Sequence, residues 1–582
     1  MADFVKHIGR FPALVACLYV SFFAMPAGAL GTYTTGQWQV NAWGAPAPIY
    51  VSREAADVVC SRSGERARYF ELKQRRGGAA ELTLPGVLSP GQGYAFRVML
   101  RTAKGTGSVD LFFRRDGFPY ESIAIHTVTV GPEWTEVQLK GIYVSSGSGS
   151  VRLAVREEQV GLCVKSARLD SIPASDVGMP TPIVRVGQDF FGIHLNKLGT
   201  HNGWPNFNPG VVRLWDTGTT WSLLQPVPGP IDWAGNVYAQ RLDYYIRHGR
   251  KYNPNVDFIL TLGMTPIWAG RLHAKRCNQS SYGERSCTMP LNINDWRHYV
   301  RELALRYRGR VKIWEVWNEA DVWVQWDESP QSMVELVRAA YEELKAVDPA
   351  NIVIGPNVTS AGLHFLNDFI VAGGAKYIDG ISVHAYVGRS PESSLNSLRN
   401  FREFLKSYNL NLPIWNTETG VSCILDEDCR GITGAAYKGM SGDIALAQGL
   451  LGNAALGIAN FTYYTWEGAS RESGGLPLVQ PDYVTSTSTG RVVERIRLWI
   501  DGAVVKFEPS SVRNLNLISI THDGAKAFVL WSRGGQVSIQ PSALAGVDRS
   551  QSLTDHVGRK LSAIPMVVGR EPVLLYGPDF RF

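Results

Sequence analysis

The 582-residue sequence predicts an α/β protein: a (β/α)8 TIM barrel preceded by a jelly-roll-like β-sandwich and followed by a small β-domain. Three observations lead to this fold class. The length implies several domains, because a domain usually holds about 100–200 residues and one such barrel about 250. Apolar residues make up 45% of the chain, which is enough to form sizeable cores. Strand-like runs alternate with helical stretches only in the middle of the chain, whereas both flanks contain strand-like runs alone.

Residues 1–30 have the composition of a secretory signal peptide. Lys6 and Arg10 precede an almost wholly apolar run at 11–25, and small residues follow at 27–29. The apolar run is shorter than the ~18 residues that a membrane-spanning helix usually needs. We therefore expect an exported protein, periplasmic or extracellular, with no stable membrane insertion after signal removal. An uncleaved anchor is the alternative.

The cysteines agree with export. Seven are present, and loss of Cys17 with the signal leaves an even set, which fits disulfides in an oxidising compartment. Free buried thiols are the alternative. Proximity in the sequence favours two short loops and leaves one long connection: Cys277–Cys287, Cys423–Cys429 and Cys60–Cys163.

Composition and motifs restrict the partners. The net charge of +6 is mild for a chain of this length and predicts no nucleic-acid partner. The 59 glycines and 31 prolines stay below the share that is typical of low-complexity disorder. The sequence has no HExxH, P-loop or Rossmann glycine motif, and no cysteine spacing that resembles a zinc site. We therefore expect no metal and no cofactor.

Residues 31–175 predict the β-sandwich, because alternating apolar and polar residues recur in short runs broken by turns. The short sequence patterns at Glu133-Trp134 and Leu169-Asp170 resemble those of carbohydrate-binding jelly rolls. This resemblance implies glycan binding. A structural β-domain that braces the barrel is the alternative.

Residues 183–502 predict the barrel. Eight short apolar runs alternate with helical stretches over about 300 residues, which matches a (β/α)8 barrel and depends on no motif. These candidate strands are 190–195, 211–215, 257–263, 311–319, 351–357, 380–386, 413–420 and 460–467. From 503 to 582 the pattern returns to short strands, which predicts a small β-domain that serves stability rather than chemistry.

Two of the predicted barrel strands end in a carboxylate: Glu319 on the fourth and Glu418 on the seventh. The active sites of such barrels lie at the C-terminal ends of the strands. Glycoside hydrolysis needs two carboxyl groups, one protonated to donate to the departing oxygen and one ionised to attack or to activate water. The two strand ends could supply both.

The surrounding residues point to a known family. The runs WNEAD at 317–321 and NTETG at 416–420 resemble the acid/base and nucleophile motifs of glycoside hydrolase clan A. Together with TLGMTPIWAG, WEVWNE and SVHAY they are similar to family 39, which includes β-xylosidases, iduronidases and bacterial exopolysaccharide glycosidases. The resemblance spans roughly residues 185–580. Family 39 relatives usually continue strand four as Asn-Glu-Pro-Asn, whereas Ala320 stands in place of the proline here and changes the loop's stiffness but not the carboxylate.

The resemblance implies a role for each catalytic residue. Glu319 would be the general acid and then the base, and Glu418 would be the nucleophile that forms a covalent glycosyl-enzyme, so that the anomeric configuration is retained. The two carboxyls should then lie about 5–5.5 Å apart, against about 6.5–9.5 Å in an inverting pair. Asn318 would hold the sugar 2-hydroxyl.

The resemblance also implies supporting residues. Tyr386 and Arg213 would donate to Glu418 and keep it ionised. His384 would line the same wall, with a satisfied interior histidine as the alternative. Glu315, on the same strand as Glu319, could be mistaken for a catalytic residue, and we interpret it as an interior carboxylate. If it pairs with Arg213, that arginine is structural.

Aromatic residues carry the predictions about the substrate. Trp466 at strand eight would form the floor under the reacting sugar, with a core residue as the alternative, and neighbouring Glu467 would be a structural partner. Tryptophans in the first half of the barrel, Trp268 among them, suggest stacking on sugars along a cleft, although about half could be core. They are Trp204, Trp215, Trp221, Trp233, Trp268, Trp323 and Trp326. Basic residues of the loop around Cys277 could favour an acidic polysaccharide, with a solvated loop as the alternative: Arg271, Lys275, Arg276 and Arg285.

The sequence therefore predicts a retaining glycosidase that acts on a polysaccharide or oligosaccharide, with endo-action favoured. An exo-acting enzyme of the β-xylosidase or arabinofuranosidase type is one alternative, and a non-catalytic carbohydrate-binding protein is another. The oligomeric state stays open.

Overall fold

The structure is a computed structural model. It describes residues 31–33, 37–44, 60, 67–73, 78–89, 92–116, 122–143, 148–155, 159–172, 177, 185–271, 277, 280–387, 391–421, 442–468, 476–508, 510, 512, 514–533, 536–539, 552–555, 560–561, 567–577 and 579–580. Among these residues, no helix has the length and apolar character needed to cross a bilayer. The predicted signal peptide and the predicted Cys423–Cys429 pair lie outside the described residues.

Antiparallel strands precede the barrel, as predicted. In the described part of the chain they are β1 (Gly31–Tyr33), β2 (Gln39–Gly44), β3 (Arg68–Lys73), β4 (Gly78–Leu88), β5 (Gln92–Thr102), β6 (Gly107–Arg115), β7 (Ser122–Val130), β8 (Thr135–Tyr143), β9 (Gly149–Val155) and β10 (Gln159–Ile172). They form two five-stranded sheets, β2-β4-β9-β6-β7 and β1-β10-β5-β8, the latter with β3 beside β10. The alternating apolar side chains of both sheets, such as Phe96 and Leu111, pack into one core. The predicted Cys60–Cys163 disulfide is confirmed.

The eight predicted barrel strands are confirmed. They are β11 (Phe191–His194), β12 (Val211–Leu214), β13 (Asp257–Leu262), β14 (Ile313–Val316), β15 (Ile352–Thr359), β16 (Gly380–His384), β17 (Ile414–Thr419) and β18 (Asn460–Tyr463). They pair in parallel in sequence order, and β18 returns to β11 to close the barrel. The carboxyl ends of all eight strands therefore meet at one mouth.

The helices of the described barrel are α1 (Trp221–Leu224), α2 (Val237–Tyr252), α3 (Ile293–Arg306), α4 (Pro330–Val347), α5 (Leu363–Val371), α6 (Pro391–Ser407), α7 (Gly442–Ala455) and α8 (Ser488–Ile500). Local sequence explains where they start. Before α4, the Ser329 side chain accepts from the Ser332 N–H, and Pro330 occupies a position that needs no N–H donor. The Asn236 side chain likewise accepts from two N–H groups at the start of α2. Between β11 and β12 the chain forms only a 3-10 turn at Leu198–Thr200, because the following HNGWPNFNPG segment is rich in helix breakers.

A third set of strands follows α8. They are β19 (Val504–Phe507), β20 (Leu515–His522), β21 (Ala525–Ser532), β22 (Val537–Ser538), β23 (Ser552–Asp555), β24 (Lys560–Leu561), β25 (Val567–Val568) and β26 (Val573–Tyr576). Six of them form the sheet β19-β20-β21-β26-β23-β24, and β22 pairs with β25. The three groups of strands fall within the three predicted ranges, whose boundaries stay a prediction.

Helix α6 contacts both flanking regions. The Asn396 amide donates to the backbone oxygen of Ile142 in β8 at 3.0 Å. On the C-terminal side, the Asn516 amide donates to the buried Glu392 carboxylate at 3.0 Å, and Arg399 pairs with the same carboxylate at 2.8 Å. The flanking sheets therefore brace the outside of the barrel. These contacts leave open whether the sandwich also binds glycan.

Candidate active site

Glu319 and Glu418 converge at the barrel mouth. Glu418 lies at the end of β17, and Glu319 follows β14 by three residues. Glu319 has a φ of +44°, a left-handed conformation that costs free energy for a non-glycine residue. Its backbone N–H donates to Asn357 Oδ1 at 2.8 Å, which helps to hold this conformation. One oxygen of each carboxylate lies within 4.8 Å of the other. This spacing fits a retaining pair better than the about 6.5–9.5 Å of an inverting pair.

Glu418 receives the two donors that were expected. Arg213 donates from Nη1 to Oε2 at 2.8 Å, and the Tyr386 hydroxyl donates to Oε1 at 2.7 Å. Burial raises the pKa of Glu418, His384 and Arg213 lower it, the charge of Glu319 raises it again, and the net shift is upward. Burial and the charge of Glu418 raise the pKa of Tyr386 well above its usual range, so this phenol stays a donor. The two donors favour the ionised form of Glu418.

Within the described residues, the Glu319 carboxylate has one hydrogen-bond partner, His384. The ring Nδ1 lies 2.9 Å from Glu319 Oε1 and 4.0 Å from Glu418 Oε1, so the imidazole stands beside both carboxylates. Burial raises the pKa of Glu319, but the hydrogen bond and charge of His384 lower it more, and the net shift is downward. His384 is buried. The structure thus places it against the acid/base candidate rather than deep in the interior.

Arg213 joins the mouth to the barrel interior. Its Nε donates to Glu315 Oε2 at 2.7 Å, its Nη1 to Glu418, and its Nη2 to Asn318 Oδ1 at 2.7 Å. The two alternatives weighed for Arg213 therefore hold together: it pairs with the interior carboxylate and also contacts Glu418. Asn318 is positioned by the same guanidinium, beside Glu319.

Glu315 is fully buried and ionised within a polar network. Burial raises its pKa, but Arg213, His384 and two hydroxyls lower it more, so the net shift is downward. Hydroxyl and amide groups from four strands also donate to it: Thr261, Asn357, Ser382 and Thr417. A carboxylate whose lone pairs all accept hydrogen bonds from the protein has a structural role. This agrees with the interpretation of Glu315 as an interior, non-catalytic carboxylate.

Replacing Arg213 by Met is expected to lower the free energy of unfolding by about 3–5 kcal/mol, because it leaves two buried carboxylates without their cation. Urea denaturation of the purified variant measures this. Arg338→Met on the exposed face of α4 is the matched control and should stay within about 0.5 kcal/mol of the parent. A loss below about 1 kcal/mol for the Arg213 variant would show that the network does not depend on this charge.

The structure places the predicted aromatic residues differently from one another. Trp466 is buried, and its ring packs against His201 and Tyr483 at centroid distances of 5.4 and 6.3 Å. Its role as the floor of a sugar site stays a prediction. Trp268 donates to the backbone oxygen of Gln225 at 2.9 Å and contacts no residue of the carboxylate cluster in the described chain.

The other predictions around these aromatics have mixed outcomes. Glu467 accepts from the N–H groups of Asn196 and Lys197, as a structural partner should. Of the seven tryptophans, three are buried: Trp215, Trp221 and Trp326. Trp323 is 41% exposed, and the remaining three are partly buried.

The loop that was considered as basic is closed by the confirmed Cys277–Cys287 disulfide. Arg271 pairs with Glu328 at 3.4 Å, and Arg285 donates to the backbone oxygen of Ile267 at 3.0 Å. Lys275 and Arg276 lie outside the described residues.

Four residues near Glu418 were missed in the sequence: Tyr464, His194, Asp216 and Tyr282. Tyr464 directly follows β18, and its ring meets that of His194 edge-on at 4.9 Å. The Tyr464 hydroxyl donates to Asp216 at 2.6 Å, and Tyr282 donates to the same carboxylate at 3.0 Å. Tyr464 and Asp216 stand one and two residues beyond strand ends, so the strand-end rule that found Glu418 would also have found them.

Glu319, His384 and Glu418 also form a group of three possible metal ligands in the described chain. A cation there would compete with Arg213 and Tyr386 for the oxygens of Glu418. Hydrolysis by two carboxyl groups needs no metal. The geometry therefore fits the two-carboxylate chemistry with the residues present, and the absence of a metal stays a prediction.

Residues 292–435 match the family model of the glycosyl hydrolase catalytic core, a stretch that contains both Glu319 and Glu418. The match confirms the predicted enzyme class, an O-glycosyl hydrolase. A comparison with curated proteins finds no match.

Solved structures of similar fold include three glycoside hydrolases. A family 39 glycoside hydrolase from the gut symbiont Bacteroides cellulosilyticus WH2 is 14% identical over 82% of this chain and 96% of its own, with a TM-score of 0.49. A family 39 β-xylosidase from Caulobacter crescentus is 16% identical over 68% and 97%, with a TM-score of 0.46. The catalytic domain of the family 30 xylanase C from Talaromyces cellulolyticus is 15% identical over 68% and 98%, also with a TM-score of 0.46. Similarity at this level does not identify the substrate of this chain.

Proposed function

We propose that this protein is a retaining glycosidase that hydrolyses a polysaccharide or oligosaccharide by double displacement. The observation that carries the proposal is the approach of the Glu319 and Glu418 carboxylate oxygens to within 4.8 Å at the barrel mouth. In the first step Glu418 attacks the anomeric carbon, the bond to the glycosidic oxygen breaks, and Glu319 gives its proton to that oxygen. In the second step water attacks the anomeric carbon, the ester to Glu418 breaks, and Glu319 takes the proton.

The neighbouring side chains bear on which of the two carboxyl groups carries a proton. Arg213 and Tyr386 both donate to Glu418 and favour the ionised nucleophile. We infer that the active form has protonated Glu319 and ionised Glu418. Asn318, fixed by Arg213, would contact the 2-hydroxyl of the sugar.

Replacing His384 by Gln is expected to move the alkaline limb of the kcat/KM profile to higher pH. Glu319 must be protonated, so activity is lost as the pH rises through its pKa, and His384 lowers that pKa. Initial rates on an aryl glycoside across the pH range measure the shift. An unmoved or lowered alkaline limb would contradict the pairing of His384 with the acid.

Tyr386→Phe is the matched variant for the other limb. Glu418 must be ionised, so activity is lost as the pH falls through its pKa, and Tyr386 lowers that pKa. The acidic limb should therefore move to higher pH while the alkaline limb stays in place. The two variants together distinguish the ionisation of Glu319 from that of Glu418.

We further propose endo-action on an exported substrate. Trp323 stands four residues after Glu319 in the chain and is 41% exposed, so we expect its ring to be available on the side where the leaving group departs. Aromatic faces stack on sugar rings, and a ring on that side would bind a further unit of the chain. The two disulfides favour an oxidising compartment, where extracellular polysaccharides occur.

Two measurements on the wild-type protein test this proposal. Proton NMR of the first product formed from an aryl glycoside should show the same anomeric configuration as the substrate. Sizing of products from a panel of polysaccharides should show early internal fragments. An inverted first product would overturn the mechanism, and release of single sugars from chain ends would replace endo-action by exo-action.

A further inference from the structure

Asp216 is a carboxylate at the mouth that the proposed chemistry does not use. It follows Trp215 at the end of β12, and it is exposed. Tyr464 donates to its Oδ2 at 2.6 Å and Tyr282 donates to its Oδ1 at 3.0 Å. A carboxylate can accept about four hydrogen bonds, so acceptor capacity remains on the open side.

The position of Asp216 indicates that it lies beside the glycone, which is the sugar whose anomeric carbon reacts. Tyr464 follows β18, which stands across the eight-stranded barrel from β14 and Glu319. The Tyr464 ring contacts His194, whose Nε2 is 4.0 Å from Glu418 Oε2. Asp216 therefore lies on the nucleophile's side of the mouth, away from the acid that protonates the leaving group.

Neighbouring contacts hold Asp216 in place. Trp215 Nε1 donates to the Tyr282 hydroxyl at 2.9 Å, which directs the phenolic hydrogen of Tyr282 toward Asp216. Tyr282 itself belongs to the loop that Cys277–Cys287 closes. Burial raises the pKa of both phenols, and the charge of Asp216 raises it further, so both remain donors. Two half-buried phenols therefore hold one exposed carboxylate in place, and supporting hydrogen bonds of this kind position the groups of a binding site.

Four carboxyl groups lie at or just below the part of the mouth that the structure describes. Glu315, Glu319, Glu418 and Asp216 contribute carboxyl groups. Among the lysines and arginines of the described chain, only Arg213 forms a hydrogen bond or ion pair with any of them, and it is already shared between two carboxylates and Asn318. A sugar carboxylate bound at Asp216 would bring a like charge next to it, which costs free energy at a binding site.

We propose that Asp216 is a glycone-binding residue that accepts hydrogen bonds from the hydroxyls of a neutral sugar, and that this subsite rejects uronic acids. The expected effects on hydrolysis rest on the proposed function, whereas the expected effects on sugar binding do not. It also separates two substrate classes that the sequence leaves open, because an acidic polysaccharide would not place its uronic acid in this subsite.

The first test compares matched aryl glycosides with the full-length wild-type protein: glucoside with glucuronide, and galactoside with galacturonide, alongside xyloside and arabinofuranoside. We expect turnover of at least one neutral glycoside and at least about 100-fold lower kcat/KM for uronides, given the cost of a like charge. Equal or faster cleavage of a uronide would overturn the inference and leave the hydrolase proposal intact.

The second test uses Asp216→Asn, which keeps the shape and one acceptor but removes the charge. On the best neutral glycoside, kcat/KM should fall by about 10- to 100-fold, mainly through KM, because a hydrogen bond to a charged group is replaced by a weaker one. The control is Asp348→Asn after α4, at the opposite end of the barrel, which should leave both constants unchanged. An Asp216 variant with wild-type constants would overturn the inference.

A binding measurement tests the role of Asp216 even if the protein cleaves none of these glycosides. Saturation-transfer NMR with methyl glycosides of xylose, glucose and glucuronic acid should then show binding of a neutral sugar that weakens in Asp216→Asn. That outcome would remove the proposed hydrolysis while supporting the role of Asp216. Binding of the glucuronide alone, or of no sugar, would overturn it.

Discussion

Glu418→Gln is expected to abolish turnover while sugar binding survives. Glutamine has the shape of glutamate, and its oxygen can still accept from Arg213 while its NH2 group faces the Tyr386 hydroxyl, but it cannot form the glycosyl ester. We expect kcat to fall by at least about 10⁴-fold, with binding of a neutral glycoside changed by less than about tenfold. Steady-state rates on the best aryl glycoside and saturation-transfer NMR measure the two quantities.

Glu335→Gln on the exposed face of α4 provides the matched control for this variant. It makes the same chemical change on the outside of the barrel and should retain the wild-type kcat. Near-normal hydrolysis by the Glu418 variant would show that the nucleophile is another group. Loss of activity together with loss of binding would point to damage of the site rather than to missing chemistry.

Glu319→Ala is expected to slow hydrolysis by about 10²- to 10⁴-fold for substrates with poor leaving groups, which need the proton most. Substrates with activated aryl leaving groups should lose much less in the first step, because their oxygen departs without protonation. The glycosyl-enzyme then waits for a base to activate water. Azide needs no such base, so added azide should restore the rate on an activated aryl glycoside and yield a glycosyl azide.

The contrast between leaving groups is what identifies the acid/base residue. Plots of log kcat/KM against leaving-group pKa should be steeper for the Glu319 variant than for the wild type. Equal loss on all leaving groups, or no azide product, would remove the acid/base role from Glu319. In that case His384, which lies 2.9 Å from Glu319 and 4.0 Å from Glu418, would be the next residue to test.

The barrel could be predicted from the sequence because its evidence is local. Each strand is a short apolar run, and the eight runs recur in an order that fits only a few topologies. The same rule placed Glu319 and Glu418 at one mouth, because parallel strands that close a barrel bring their carboxyl ends together. The Cys277–Cys287 pair was equally predictable from its short separation, and the structure confirms it.

Side-chain direction could not be predicted in the same way. Trp466 stands near the end of β18 and is expected to form the floor under the sugar. Its ring packs against His201 and Tyr483, and the neighbouring Tyr464 faces the cluster. Both residues follow the same strand, and only the course of the chain after β18 decides which ring turns inward. A strand-end rule identifies the segment but not the residue within it.

The contacts of Asp216 join residues that are far apart in the sequence. Its two donors come from residues 66 and 248 positions away in the chain. One of them, Tyr282, lies in a loop where neither periodicity nor a motif marks it. Arg213 shows a related limit: its pairing with Glu315 and its contact with Glu418 were weighed as alternatives, and a guanidinium with five N–H donors makes both.

Trapping of the covalent intermediate tests the central claim most directly. The wild-type protein would be incubated with the activated 2-deoxy-2-fluoro analogue of its best aryl glycoside, then digested and analysed by mass spectrometry. The fluorine slows both chemical steps, and the good leaving group lets the first one proceed, so the glycosyl ester accumulates. We predict one added fluorosugar on the peptide that contains Glu418. A label on any other carboxylate, or an unlabelled protein that releases an inverted product from the parent glycoside, would contradict the account.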